Sequence, residues 1–399
     1  MLTAITKSGK KLSLGYEYKK ETLLYLRTRE EFFCPVCGEK VALKLGDKRI
    51  FHFAHQKGGS CRDFFENETQ YHMKGKLQLY QWLKNQKISC ELEYYDKEIR
   101  QCPDILFIYH GKKFALEYQC SIIPEEVFTK RTENYLQHGY TPLWILGGNH
   151  FKPTNHGTVS LTNFHYLFLR RTSEGYFYLP YYFSDQKIFQ LLYSIFPFST
   201  KNAKAKTSLL SLDKIHVSNL VEPKVNIQLN IKAWKQKLEL YQMHWAAYPN
   251  PKQKNFLNEL YNLRMNLFLL PPEIGLPVTH SWLIQTPAFI WQTYLYLDIL
   301  SKRHPGDFIS LREVEKSFRK RIMMGQIQIR NAPQEISSHP FQAVKEYVAV
   351  LKKCGVLEGE SSNQIKFRKK IIIPLTNREK EELTQRFFRE NAEILFEKI

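Results

Sequence analysis

The sequence predicts an α/β core with a small β module in front and a mostly α-helical region behind, and three observations lead there. Between residues 64 and about 150 the apolar residues change period from helical to alternating and back, in the order helix, three strands, helix, strand. Residues 1 to about 63 are short Lys- and Gly-rich strands and turns with clustered Cys and His. From about residue 209 helical spacing dominates, broken at "YPNPK", "LLPPEIGLP" and "RHPGD".

Each core element has its own justification. "NETQYHMKGKLQLYQWLKNQ" puts Leu77, Tyr80 and Leu83 on one helical face, with Met73 and Trp82 beside them. "KISCELEYYD" alternates through Ile88, Cys90, Leu92 and Tyr94, the period of a half-buried strand. "DILFIYH" and "KKFALEYQC" follow as strands joined by a turn at His110-Gly111-Lys112. "PEEVFTKRTENYLQH" is a helix with Pro124 and acids in its first turn, where the helix dipole favours negative charge. "TPLWILGG" then returns as a buried strand, parallel to the strand before the helix. Residues 151 to about 200 read as edge strands and a helix covering that core, and "TKNAKAKTS", Thr200 to Ser208, reads as a linker. The expected units are 1–63, 64–200 and 201–399. Near the end, "FQAVKEYVAVLKKCGVLEGESSNQIKFRKK" resembles the helix-and-wing end of a winged-helix module.

The 399-residue chain has a formal net charge of +19, which biases its partner toward a polyanion. Nucleic acid stands ahead of an acidic membrane, because no amphipathic anchor or lipidation signal is evident. The longest apolar stretch, "SWLIQTPAFIWQTYLYLDIL", is interrupted by Gln285, Pro287, Gln292 and Asp298. It falls short of the roughly 18 uninterrupted apolar residues of a membrane span and reads as a buried helix pair. "MLTAITKSGKKLSL" lacks the apolar core of a signal peptide, so the expected compartment is the cytoplasm, with the seven cysteines reduced.

"FFCPVCGEKVALKLGDKRIFHFAHQKGGSC" carries Cys34, Cys37, His52, His55 and Cys61. Two cysteines separated by two residues let one turn offer both thiolates to a tetrahedral Zn2+, and four of the five residues would complete the site. On a regular strand His52 and His55 face opposite sides, so only one of them binds. A turn starting at Phe53 would admit both. Cys61, after Gly58-Gly59, can close the site with His55.

Three polar residues stand out in "RQCPDILFIYHGKKFALEYQCSI". Asp104 opens one strand; Glu117 and Gln119 share a face of the next, opposite to Phe114, Leu116 and Tyr118. Hairpin pairing brings the start of the first strand to the end of the second, and so Asp104 to Glu117 and Gln119. Two carboxylates held together call for a divalent cation, and oxygen ligands suit Mg2+ or Mn2+.

"CPD" followed by "EYQ", in this order of elements, resembles the PD-(D/E)xK nuclease fold, with Gln119 where the motif usually has lysine. Together with "FENETQYHMKGKLQLYQWL", "CPVCG…FHFAH…C" and "HGYTPLWILGG", the chain is similar to the competence protein CoiA family over residues 20 to about 150. The resemblance implies a metal-dependent DNA nuclease of natural transformation, acting on incoming or recombining DNA, single-stranded, duplex or branched. It also implies recombination proteins as partners. By matching position Glu68 completes the acidic cluster and His72 is a general acid or base, or a phosphate contact. Lys76, one turn on, is a DNA contact or a substitute for the missing lysine. Lys130 and Arg131 on the crossover helix, and Arg319, Lys320 and Arg321 in "EKSFRKRIMMGQIQIR", are the other expected DNA contacts. Two rivals are an inactive DNA-binding accessory that kept the fold and a restriction or mobile-element endonuclease.

Overall fold

The computed structural model describes residues 1–55, 68–154, 157–227, 229–249, 251–335, 337–359 and 364–391. The first module is an antiparallel sheet of β1 (Thr3–Thr6), β2 (Lys11–Ser13), β3 (Phe32–Phe33), β4 (Lys40–Lys44) and β5 (His52–His55), in the order β2-β1-β3-β4-β5. Helix α1 (Lys20–Arg29) crosses from β2 to β3. Its small core gathers Leu23, Phe32, Cys34, Val41, Leu43 and Phe53.

The second unit follows the expected order. Helix α2 (Gln70–Asn85) precedes β6 (Cys90–Leu92), β7 (Ile105–Tyr109) and β8 (Lys112–Gln119); α3 (Glu125–Gln137) leads to β9 (Tyr140–Gly147). Strands β7 and β8 form the antiparallel hairpin, and β9 returns parallel to β8 with Lys113 opposite Tyr140 and Gln119 opposite Leu146. Strand parity sorts β8 as expected. Phe114, Leu116 and Tyr118 pack with Met73, Leu79 and Leu83 of α2, while Ala115 packs on Tyr135 of α3. Helix α2 lies close on the sheet because Gly75 has no side chain: a Cβ there would stand 2.1 Å from the Tyr118 ring. Thr69 caps the helix, its side chain accepting from the His72 N–H.

Two expectations are corrected here. Strand β6 ends at Leu92 rather than running to Tyr94, because Glu93 turns inward with φ +47°. The linker expected at Thr200 to Ser208 is a strand. After β10 (Pro153–Thr154), β11 (Thr158–Ser160), α4 (Asn163–Tyr166) and β12 (Arg170–Arg171), the chain forms β13 (Phe177–Phe183), β14 (Ile188–Pro197) and β15 (Asn202–Ser211). These extend the sheet beyond β9, as the expected edge strands do, in the order β10-β11-β15-β14-β13-β9-β8-β7-β6, with β12 on β13. Leu212, Ile215 and the short α5 (Val217–Val221) then pack into the same core as α2.

The remainder is α6 (Ile231–Ala247), α7 (Pro251–Asn262), α8 (Ala288–Asp298), β16 (Phe308–Ile309), α9 (Leu311–Met323), α10 (Phe341–Lys353), β17 (Leu357–Glu358), β18 (Ile365–Phe367) and α11 (Asn377–Asn391). The apolar stretch expected as a helix pair is one short 3-10 turn, Ser281–Leu283, and one helix, α8, buried from Ala288 to Leu297. Gln292 is tolerated inside it because its amide bonds Gly275 N, Leu276 N and Leu276 O. Among the described residues no helix is long and apolar enough to cross a membrane.

Candidate functional site

The β7–β8 register sets Ile105 opposite Leu116. Asp104, one residue earlier, therefore arrives beside Glu117, and its Oδ2 accepts the Tyr118 N–H at 2.9 Å. Both carboxylates and Gln119 line one cavity of about 60 Å3, closed over by Glu68, just ahead of α2, and by His72 and Lys76 on it. Helical spacing at i and i+4 puts His72 and Lys76 on one face of α2, while Glu68, expected to open the helix, lies one residue before its cap and reaches the same cavity from there.

Lys76 is the electrostatic centre. It is 1% exposed, and its Nζ bonds Glu68 Oε1, lies 2.7 Å from Glu93 Oε1 and 3.2 Å from Asp104 Oδ1. His72 Nε2 donates to Asp104 Oδ2 at 3.1 Å, and its other ring nitrogen is 3.8 Å from Glu68 Oε1. Burial alone would push the Glu68 and Asp104 carboxyls up. The Lys76 ammonium, together with the other positive groups and donors around them (the N-terminus and His72 at Glu68, His72 and the Tyr118 N–H at Asp104), outweighs it, holding Glu68 at about 2 and Asp104 far below the usual range. His72 goes the other way: burial disfavours its charge, but the Asp104 carboxylate raises it above its ordinary value.

Glu117 reaches the cavity from the α3 face of the sheet. Its Oε1 accepts from Arg131 at 2.5 Å and from the Tyr135 hydroxyl at 2.6 Å. Burial, helped by the charge on Asp104, still pushes its carboxyl up to about 7. The Gln119 amide donates to Ser121 O and Oγ, both at 3.0 Å.

Glu93 is the site residue that sequence reasoning misses. Its carboxylate accepts from Leu2 N, Thr3 N and Thr3 Oγ1 at 2.8 to 3.0 Å while also meeting Lys76. The positive φ costs roughly 1–2 kcal/mol, and these bonds offset it. The first strand of the N-terminal module is thereby fixed to the cavity wall. Phe53 N donates to Met1 O at 2.9 Å, which joins β5 to the same contact.

Among the described residues, two groups bring three ligand atoms within 4.8 Å of one another: Cys34, Cys37 and His55, and Glu68, His72 and Asp104. In the first, Cys37 Sγ lies 3.4 Å from His55 Nε2. Strand β5 is regular, and the His52 ring donates to Ile50 O at 2.8 Å, away from the group. Cys61 lies outside the described residues.

Two expected DNA contacts, Lys76 and Arg321, are corrected. Lys76 is enclosed by carboxylates, whereas Arg131, held by Glu117 and lying over the Trp144 ring, stays partly exposed at the cavity. Arg321 turns inward, bonding Asp298, Glu259 and Gln326 and lying 4.2 Å from the centre of the Tyr294 ring. Arg319 pairs with Glu315 on its own helix, and Lys130 and Lys320 are exposed.

Three family models match in sequence: the N-terminal domain of competence protein CoiA over residues 15–64, its nuclease-like domain over 68–225, and its C-terminal domain over 229–382. A protein of Bacillus subtilis (strain 168) named competence protein CoiA is 35% identical over 336 residues, covering 82% of this chain and 87% of that protein. No solved structure gives a significant match.

Proposed function

The chain belongs to the competence protein CoiA family, and from that premise we propose that it is a metal-dependent DNA nuclease acting on incoming or recombining DNA in competence. The observation that carries this reading is the convergence of Asp104, Glu117 and Gln119 on one cavity at the end of a mixed sheet, under Glu68 and His72. That arrangement supports a core of the PD-(D/E)xK type.

Mg2+ or Mn2+ would be held by Asp104 and Glu117, with Glu68 as a third carboxylate. The donors fit a hard cation: they are carboxylate oxygens, and Glu117, at about 7 without a cation, has charge to gain from one. The ion would supply a water of lowered pKa and offset charge on the phosphate under attack. His72, whose charged form the Asp104 carboxylate favours against burial, is the candidate proton donor to the leaving oxygen. Gln119 orients water or a phosphate oxygen. Lys76 provides the ammonium that the motif usually places at position 119.

In the N-terminal module two sulfurs and one imidazole suit Zn2+, with Cys61 as the remaining candidate ligand. The module then holds one wall of the cavity through the Leu2 and Thr3 contacts to Glu93.

The test is a panel of single-stranded, duplex and branched DNA with Mg2+ or Mn2+, wild type against Asp104→Ala. Cutting is expected from the wild type and not from the variant; equal cutting by both would remove Asp104 from the mechanism. One observation favours the accessory reading: Lys76 and Arg131 already neutralise the carboxylates. On that reading no DNA is cut with any metal, while binding survives Glu117→Ala. Sequence-specific cutting of duplex would instead point to a restriction or mobile-element enzyme.

A further inference from the structure

The C-terminal unit contains a small sheet whose outer face has no role so far. Strand β16 pairs with β18 (Phe308 opposite Lys366), and β18 pairs with β17 (Glu358 opposite Lys366). Ile309, Leu357, Ile365 and Phe367 point into the core, so parity turns Phe308, Glu358, Lys366 and Arg368 outward. The order α8, β16, α9, α10, β17, β18, with β16 added to the second strand of the hairpin, is that of a winged helix. In such modules the third helix, here α10, usually enters the major groove.

That route is closed in this chain. Glu346 of α10 accepts from the His280 backbone N at 2.8 Å and from its ring at 2.6 Å, and the Tyr347 hydroxyl donates to Glu273 O at 3.1 Å. The segment 273–280 thus roofs the helix. The α9–α10 connection, residues 324–340, is also far longer than a helix-turn-helix turn. What stays open is the wing. Lys366, Arg368, Lys369 and Lys370 are exposed on or just after β18, and Phe308 is 56% exposed directly across from Lys366. Among the described residues the carboxylates beside them are Glu358, 3.6 Å from Lys366 Nζ and 3.2 Å from Arg368 Nε, and Glu273 and Glu390, which line a cavity together with Lys369 and Lys370.

We infer that the outer face of this wing is a sequence-independent DNA-binding surface. Its cations contact the phosphates, and Phe308 stacks an unpaired base. Cations flanking an exposed ring are what a single strand requires. With α10 roofed, no helix among the described residues of the module is free to read base edges. The inference rests on the reading of DNA as substrate but is separable from it, since binding is measured without cleavage.

The experiment uses the full chain carrying Asp104→Ala, without added Mg2+, and fluorescence anisotropy of labelled oligo(dT) over a salt series. Neutralising Lys366, Arg368, Lys369 and Lys370 together to Ala is expected to weaken binding at least tenfold. It should also flatten the slope of log K against log salt by about 0.7 for each phosphate that the variant no longer neutralises. Phe308→Ala should cost roughly tenfold on oligo(dT) and less on duplex. Glu358→Gln should tighten binding, a gain that misfolding does not produce. An unchanged slope in the fourfold variant, weaker binding by Glu358→Gln, or no binding by the parent protein each overturns the wing. Cleavage lost in Asp104→Ala alongside any of these would leave the nuclease reading standing.

Discussion

Lys76 carries its charge into a buried place, where three carboxylates among the described residues compensate it. Removing one member of such a buried cluster leaves uncompensated charge and costs about 3–5 kcal/mol. Lys76→Met is therefore expected to destabilise the protein by about that amount in chemical denaturation and to abolish cutting. Mn2+ should restore part of the stability, because a cation takes the ammonium's place. A deficit that Mn2+ leaves untouched would mean no ion enters there. The effect has a pH signature. Glu68 and Asp104 have lowered folded values, so their stabilisation is present above about pH 4.5 and is lost as pH falls toward the Glu68 value of about 2. The gap between wild type and variant should narrow over that range. The positions of Asp104, Glu117 and Gln119 were legible because strand parity and hairpin register are local rules. Glu93 was not: it sat on the expected outer face of an alternating strand. What turns it inward is a contact with Leu2 and Thr3, some ninety residues away.

At the level of elements, α2, β7, β8, α3 and β9 could be read from periodicity because each has a large apolar face. Strand β15 has none. Its sequence "NAKAKTSLLS" is mostly small and polar, and within it Ala203 alone is buried. Its strand character comes from ladders to β14 on one side and β11 on the other, which no local propensity encodes. The knuckle between β3 and β4 belongs to this scale as well. It buries little apolar surface, so bound metal would supply folding free energy. The prediction is about one equivalent of zinc per chain by elemental analysis, absent from Cys34→Ser with Cys37→Ser. Amide protection of β1 and β5 should fall in the same variant. Zinc-free protein purified without chelators would defeat it.

For the whole molecule, the net charge of +19 favours a polyanion as partner but does not say where one would bind. Of Arg319, Lys320 and Arg321 in one basic run, Arg321 proved an internal strut. A sequence pattern cannot tell a charge facing water from one whose partners, Glu259 and Asp298, lie 62 and 23 residues away. The three expected units had the same weakness at the join between the second and third. The sheet does not stop at Thr200; it continues to Ser211. Anyone wishing to produce the first two units alone would meet this directly. A chain ended at Thr200 lacks β15, and the long apolar β14, "IFQLLYSIFP", would present a bare row of N–H and C=O groups to other molecules. Such a fragment should self-associate in size-exclusion chromatography. One ended near residue 225, with β15 and α5 in place, should elute as a discrete, lower-order species.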